Sequence, residues 1–391
     1  MLPSSILFLV ASYLVGLVAG FDALSKSNVA VYWGQNSYGG QQRLSQYCES
    51  DAVDIVLLSF LYSFPGNLQV DFSNACGDSY PDGLKHCSTI GQDIKTCQSL
   101  GKKVLLSLGG ALGAYGFTSD SQATTFATTL WNKFGGGSDD ERPFDDAVVD
   151  GFDLDLENNS QTGTVALGKA LRSEFAKDTS KTYYLSAAPQ CPYPDASVGE
   201  YLSGVDVDFA FIQFYNNYCA LGSNFNWDTW QTFASGTSPN KNIKLFLGLP
   251  GAQSSAGSGY VTPDTVKQYV DEIKSTENFG GIMLWDASSG FGNVVDGTPF
   301  VEQMKSILGS GSGSKAVTSA ATTTLALAPT TPLTTAKDTT TLSSSSNVLT
   351  KVITPTAFET YTRIATTFIV STVKGPHTAT YDNGQYRADY Y

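Results

Sequence analysis

Histidine is nearly missing from this chain. Its 391 residues hold two, His86 and His377, which all but excludes a Ser-His-Asp triad or a multi-histidine metal site. The six cysteines include no Cys-x-x-Cys pair, and that argues against zinc. Positive charge is scarce too. Lysine and arginine total 23 against 36 acids, for a net charge of −13. The segment after residue 308 carries six basic residues and four acids, so the deficit lies upstream of it. This balance argues against nucleic acid or an anionic membrane as partner and leaves an uncharged polymer compatible. No Gly-x-Gly-x-x-Gly follows the first apolar run after the leader, which removes a dinucleotide site. No metal and no cofactor are expected. The chemistry should rest on carboxylates, amides and tyrosines.

Long apolar runs are also lacking. Residues 5–19 form the longest, and it is short for a membrane span. It reads as the core of a secretory signal over residues 1–20, cleaved near Gly20, with a membrane anchor as the alternative. No membrane span is then expected in the mature chain, which should be secreted, extracellular or wall-associated. The six cysteines, all between Cys48 and Cys219, fit an oxidising compartment. Spacing alone leaves their pairing open, although Cys76 and Cys87 bracket a Gly/Asp/Pro-rich loop that they can close.

What is present is centred on residues 147–157, Ala-Val-Val-Asp-Gly-Phe-Asp-Leu-Asp-Leu-Glu. A strand alternates its faces with a period of two, so Asp153, Asp155 and Glu157 share one side and Phe152, Leu154 and Leu156 the other. The apolar residues ahead of them suggest a strand buried on both faces. Adjacent acids then lie roughly 6.6 Å apart along the strand. At an effective dielectric near 20, two charges at that spacing repel by about 2.5 kcal/mol, enough to lift one pKa by roughly two units. The array favours one protonated carboxyl near neutral pH, as a general acid requires. Asp150 breaks this parity and reads as structural.

Eight apolar, β-branched runs recur: Val29–Trp33, Val53–Phe60, Lys103–Leu108, Val148–Glu157, Tyr183–Ala188, Val207–Tyr215, Ile243–Leu249 and Gly281–Asp286. Helix-like segments lie between them, among them Gly91–Leu100, Ala123–Phe134, Thr164–Phe175 and Thr262–Ser275, the last with Thr262 as N-cap and Pro263 at the first helical position. The alternation predicts an α/β fold, a (β/α)8 TIM barrel over residues 21–308, with an open doubly wound sheet as runner-up. Ser63–Cys87 reads as a disulfide-pinned surface excursion. Residues 309–350 contain 20 Ser or Thr and read as an O-glycosylated linker, followed by a tail of unknown role over 351–391.

Taken together these stretches resemble the family 18 glycoside hydrolases, in the plant and fungal class III chitinase branch. Asp150-Gly151-Phe152-Asp153-Leu154-Asp155-Leu156-Glu157 matches that family's Asp-Gly-x-Asp-x-Asp-x-Glu. Ser107-Leu108-Gly109-Gly110 matches its Ser-x-Gly-Gly, and Tyr32-Trp33-Gly34-Gln35-Asn36, Gln213-Phe214-Tyr215 and Gly281–Asp286 follow in order. The resemblance implies that Glu157 protonates the glycosidic oxygen, Asp155 holds the substrate's N-acetyl N–H, Asp153 backs Asp155 and Tyr215 donates to the acetamido group. It implies that Gln213 lines the same pocket, Trp285 forms its floor, and Tyr32, Gln35, Phe60 and Gly109 line the cleft. It implies the pairs Cys48–Cys97, Cys76–Cys87 and Cys191–Cys219. Taken singly, Tyr215, Gln213, Tyr32, Phe60 and Trp285 would read as barrel filling, and Gly109-Gly110 as a turn with positive φ.

The resemblance implies a chitinase acting on chitin or chito-oligosaccharides; a monomer is expected, with a further contact to cell-wall polysaccharide through the tail. Endo-β-N-acetylglucosaminidase action on N-glycans uses the same acid motif. An inactive chitin-binding lectin or inhibitor on the same barrel is the non-enzyme alternative, and such proteins usually lack the final Glu or a partner acid. One sequon, Asn158-Asn159-Ser160, directly follows Glu157 and is expected to stay mostly unmodified.

Overall fold

The apolar runs become eight parallel strands that close on themselves. The computed structural model describes residues 21–309. The leader 1–20, the Ser/Thr-rich stretch past Gly309 and the tail 351–391 lie outside the described residues. In chain order the strands are β1 (Asn28–Trp33), β2 (Ile55–Phe64), β3 (Lys103–Gly109), β4 (Gly151–Asp155), β5 (Tyr184–Ala187), β6 (Phe209–Gln213), β7 (Lys244–Pro250) and β8 (Phe279–Trp285). Each pairs in parallel with the next, and β8 returns to β1. This closure is the expected (β/α)8 barrel and rules out the open sheet.

Alternation along the strands sorts the core into two layers. Ala30, Ile55, Leu57, Leu105, Phe211 and Met283 point into the barrel. Val31, Val56, Leu58, Leu106 and Leu154 point outward against the helices. Those helices include α1 (Leu44–Cys48), α2 (Ser88–Ser99), α3 (Asp120–Phe134), α4 (Thr164–Phe175), α5 (Gly199–Gly204), α6 (Trp227–Thr232), α7 (Pro263–Ile273), α8 (Ala287–Gly292) and α9 (Phe300–Leu308). At the N-terminal mouth Phe21 packs edge-on against Tyr184, with ring centroids 5.8 Å apart. Asp150 also belongs to that end. Its carboxylate accepts the Val104 N–H at 2.9 Å and the Lys181 ammonium at 2.9 Å, so it ties β3 and β4 to the following loop.

Several boundaries differ from the sequence expectation, each for a local reason. Helix α2 starts at Ser88, three residues before Gly91, because Gly91 is a packing position inside the helix. A Cβ there would lie 2.4 Å from the Phe144 carbonyl oxygen. Helix α3 starts earlier too, since the Ser119 hydroxyl accepts the Gln122 N–H at 3.2 Å and caps it. Thr262 occupies the N-cap position of α7 but does not cap by side chain; its hydroxyl pairs with that of Thr265 at 3.1 Å. Strand β2 runs on to Phe64 and folds back antiparallel against Gln69–Val70, so the excursion after Ser63 begins as a hairpin. The disulfides are Cys48–Cys97, linking α1 to α2, Cys76–Cys87, closing the excursion, and Cys191–Cys219, joining the β5 and β6 loops.

Candidate active site

Strand β4 ends at Asp155, two residues short of Glu157, so the third acid stands on the loop. Two glycines allow the strand its place. Gly151 has φ +155°, and a Cβ on it would lie 1.9 Å from the Tyr184 carbonyl oxygen. Gly109, at the end of β3, has φ +117°, and its Cβ would lie 2.2 Å from the Asp155 carbonyl oxygen. The neighbouring Gly110 N–H donates to that same oxygen at 2.7 Å. The Ser-x-Gly-Gly stretch thus fastens the backbone beneath the acids.

Asp153 is fully buried. It accepts hydrogen bonds from Ser107 Oγ at 2.7 Å and Tyr32 Oη at 2.9 Å on one oxygen, and from Ser186 Oγ at 2.7 Å on the other. Burial pushes its pKa up while the three hydroxyls pull it down. Asp155 is pushed well above the ordinary aspartate value, first by burial and then by the charges of Glu157 and Asp153. Glu157 is raised by burial but held down by hydrogen bonds from Gln213 and Asp155. Both carboxyls are thus held toward their protonated forms, Asp155 more strongly than Glu157. Gln213 Nε2 reaches Asp155 Oδ1 at 3.1 Å and the Ala188 carbonyl at 3.1 Å. Among the described residues no lysine or arginine pairs with any of the three acids.

Tyr215 lies two residues past the end of β6. Asn216 holds it there by accepting the Ser258 N–H at 3.0 Å, and Gly259 lets that loop approach, since a Cβ on it would meet Tyr215 Cα at 2.7 Å. Burial and the charges of Asp155 and Glu157 push the Tyr215 phenol well above its usual value, so it is a neutral donor. Across the mouth, Trp285 stacks on Phe60 at 5.9 Å and tilts against Tyr32 at 5.6 Å. Simple parity along β2 would send Phe60 outward with Val56 and Leu58. A register shift between Ser59 and Leu61 turns it in. Gln35 does not touch the acids. Its Nε2 donates to the Ser59 carbonyl at 2.8 Å, bracing the backbone beside Phe60.

Three neighbours lie outside the expected set. Ser186 supplies one of the hydroxyls on Asp153. Tyr115 Oη accepts the Glu157 N–H at 2.8 Å. Asp195, on the β5 loop, adds a fourth charge that raises both Asp155 and Glu157. Its oxygens accept the N–H groups of Gln190, Ser197 and Val198 at 2.7–2.9 Å, so it is spoken for. Parity on β5 marks Ser186 as inward, but Tyr115 and Asp195 come from loops whose course no periodicity reveals. Asp286 faces away from the cleft as an N-cap, accepting the Ser289 and Ser37 N–H groups at 3.0 Å each.

Comparison with known proteins gives a consistent picture. Residues 28–260 match the family model described as glycosyl hydrolases family 18. An endochitinase of Saccharomyces cerevisiae is 59% identical over 309 residues, covering 78% of this chain and 55% of that protein. The chain thus spans about half the length of the curated relatives it matches. The crystal structure of the ICChI chitinase from Ipomoea carnea aligns with a TM-score of 0.63 at 32% identity, over 72% of this chain and 99% of that one. The xylanase and alpha-amylase inhibitor protein XAIP-II of Scadoxus multiflorus aligns with a TM-score of 0.61 at 32% identity, over 73% of this chain and 98% of that one.

Proposed function

The chain belongs to the glycosyl hydrolases family 18, and from that premise we propose that it is a secreted chitinase. It hydrolyses β-1,4 bonds between N-acetylglucosamine units with retention of configuration. The observation that carries the mechanism is one-sidedness. Asp153, Asp155 and Glu157 rise from one strand end, while Asp195 and Asp286 have their oxygens turned to backbone amides. Most glycosidases set two carboxyls on opposite sides of the bond. Here the nucleophile is supplied by the substrate: its acetamido oxygen attacks the anomeric carbon and closes an oxazolinium ring, an exception known for this family.

Asp155 must be ionised to accept the acetamido N–H, so the proton the pair holds lies on Glu157 when substrate binds. Glu157 gives that proton to the glycosidic oxygen as the bond to the anomeric carbon breaks. Tyr215 donates to the acetamido group, and holding that group raises its effective concentration at the anomeric carbon. The Glu157 carboxylate then takes a proton from water, whose oxygen opens the ring from the β side. Asp153, anionic among three hydroxyls, steadies the positive charge. Trp285 supports the distorted sugar. The three disulfides fit an oxidising compartment, in keeping with secretion.

The related inhibitor fold is the other reading to weigh. The complete acid set, with Tyr215 beside it, favours hydrolysis. The test is NMR of the first product from chitotetraose, with Glu157→Gln as control. Initial β anomer and at least a thousandfold loss in Glu157→Gln are expected. Initial α anomer, or activity of Glu157→Gln within tenfold of the wild type, would overturn the mechanism.

A further inference from the structure

Glu157 lies beyond its strand, yet a general acid must be held within a fraction of an ångström of its proton acceptor. Something other than the β4 ladder has to hold it. Tyr115 belongs to a two-residue strand, Ala114–Tyr115, that adds to the far end of β2, with Tyr115 in register with Phe64. Its ring stacks on Phe64 at 5.3 Å and 11°, and Phe64 stacks in turn on Phe126 of α3. The hydroxyl is pinned at both ends. It donates to the Gly110 carbonyl at 2.8 Å and accepts the Glu157 N–H at 2.8 Å. The Tyr115 backbone is used as well, because its carbonyl accepts Asn158 Nδ2 at 3.0 Å. Asn158 Oδ1 accepts the Ser160 N–H at 3.1 Å, and Ser197 Oγ accepts the Asn159 N–H at 2.9 Å from the opposite loop.

We propose that Tyr115 and Asn158 are positioning residues that clamp the loop carrying Glu157 against the β3 loop, and that the amide of Asn158 serves this clamp instead of accepting a glycan. The inference rests on the hydrolase reading and deepens it. The chain's one Asn-x-Ser/Thr sequon is this same Asn158. A glycan on Nδ2 replaces one of its two hydrogens and would stand beside Tyr115 and the acid, so the modification competes with the clamp for this amide. Without the clamp, Glu157 is free to swing off Asp155.

The test uses three variants of the full chain from a glycosylating yeast host. Tyr115→Phe keeps the stacked ring and removes only the hydroxyl. It should lower kcat on chitotetraose by roughly 10- to 100-fold, leave KM within about threefold and leave Tm nearly unchanged. As Glu157 separates from Asp155, their mutual repulsion falls and the pair releases its proton more readily. The basic limb of the kcat profile should therefore move to lower pH. Asn158→Ala should act in the same direction. Ser160→Ala destroys the sequon but keeps the amide, and should match the wild type in rate and in deglycosylation-insensitive mass. An unchanged kcat in Tyr115→Phe, a loss that merely tracks Tm, or a glycan on Asn158 would overturn the proposal. Carbon-13 NMR titration of the carboxyls reads the clamp without turnover, as a lowered upper pKa of the pair in Tyr115→Phe. An inactive wild type would thus refute the hydrolase reading while the clamp is still judged.

Discussion

Asp155 is held in a place that suits its chemistry and opposes folding. Burial and two neighbouring carboxylates raise its pKa well above the ordinary value. The fold therefore favours its neutral form. That contribution is complete below the ordinary aspartate pKa of about 4 and is lost as pH rises through the raised value. Asp155→Asn keeps an oxygen for Gln213 and needs no proton. It should cost at least a hundredfold in kcat while raising Tm by several degrees at neutral pH, a gain that fades below about pH 4. Thermal melts across pH decide it; a difference that does not change with pH would contradict the argument. At this scale much of the site was legible. The period-two acid array placed Asp153 and Asp155 on one side, and the motif order brought in Gln213, Tyr215 and Trp285. Phe60 was reachable only through resemblance, because its bulge reverses parity. Tyr115 and Asp195 were out of reach, since loop geometry leaves no periodic trace.

Among the elements, β4 is the one on which the others depend. Its lower end is fastened by Asp150 and by the close approach of Gly151 to β5; its upper end by Gly109 and Gly110. Gly151→Ala adds a methyl group 1.9 Å from a backbone oxygen at a φ of +155°. Overpacking and backbone strain together should cost about 2–4 kcal/mol. Denaturant unfolding should show this loss, and residual folded protein should keep a near-normal KM, because the change lies below the acids. A loss under about 0.5 kcal/mol would mean the β4–β5 seam is slack. The strands themselves were readable as eight apolar runs, but their ends were not. Apolar character continues past the last ladder bond, so the pattern predicts strand as far as Glu157 and Tyr215. In the fold each is held by a neighbouring loop.

For the molecule as a whole, the described barrel is closed by its own last helix. Phe300, Val301 and Met304 of α9 are buried, and Lys305 bonds to Asp54 at the foot of β2. Truncation after Leu308 should therefore leave Tm and activity on soluble oligomers within error of the full chain; loss of either would make the Ser/Thr-rich region part of the domain. The molecule's charge carries a different consequence. Three clustered acids keep net negative charge even with one proton held between Asp155 and Glu157; with no basic partner among the described residues, in an acidic chain, they form a trap for cations. Chitin stripped of its acetyl groups exposes an ammonium on each sugar. Such a chain is drawn into the cleft by the field yet brings no acetamido oxygen to attack the anomeric carbon. A deacetylated stretch should thus occupy the enzyme without being cut, so that the pattern of deacetylation along a polymer sets where digestion stalls. Glucosamine tetramer should inhibit competitively at mildly acidic pH, and its Ki should weaken severalfold between about 20 and 300 mM salt. A Ki indifferent to salt would assign the stall to shape instead of charge.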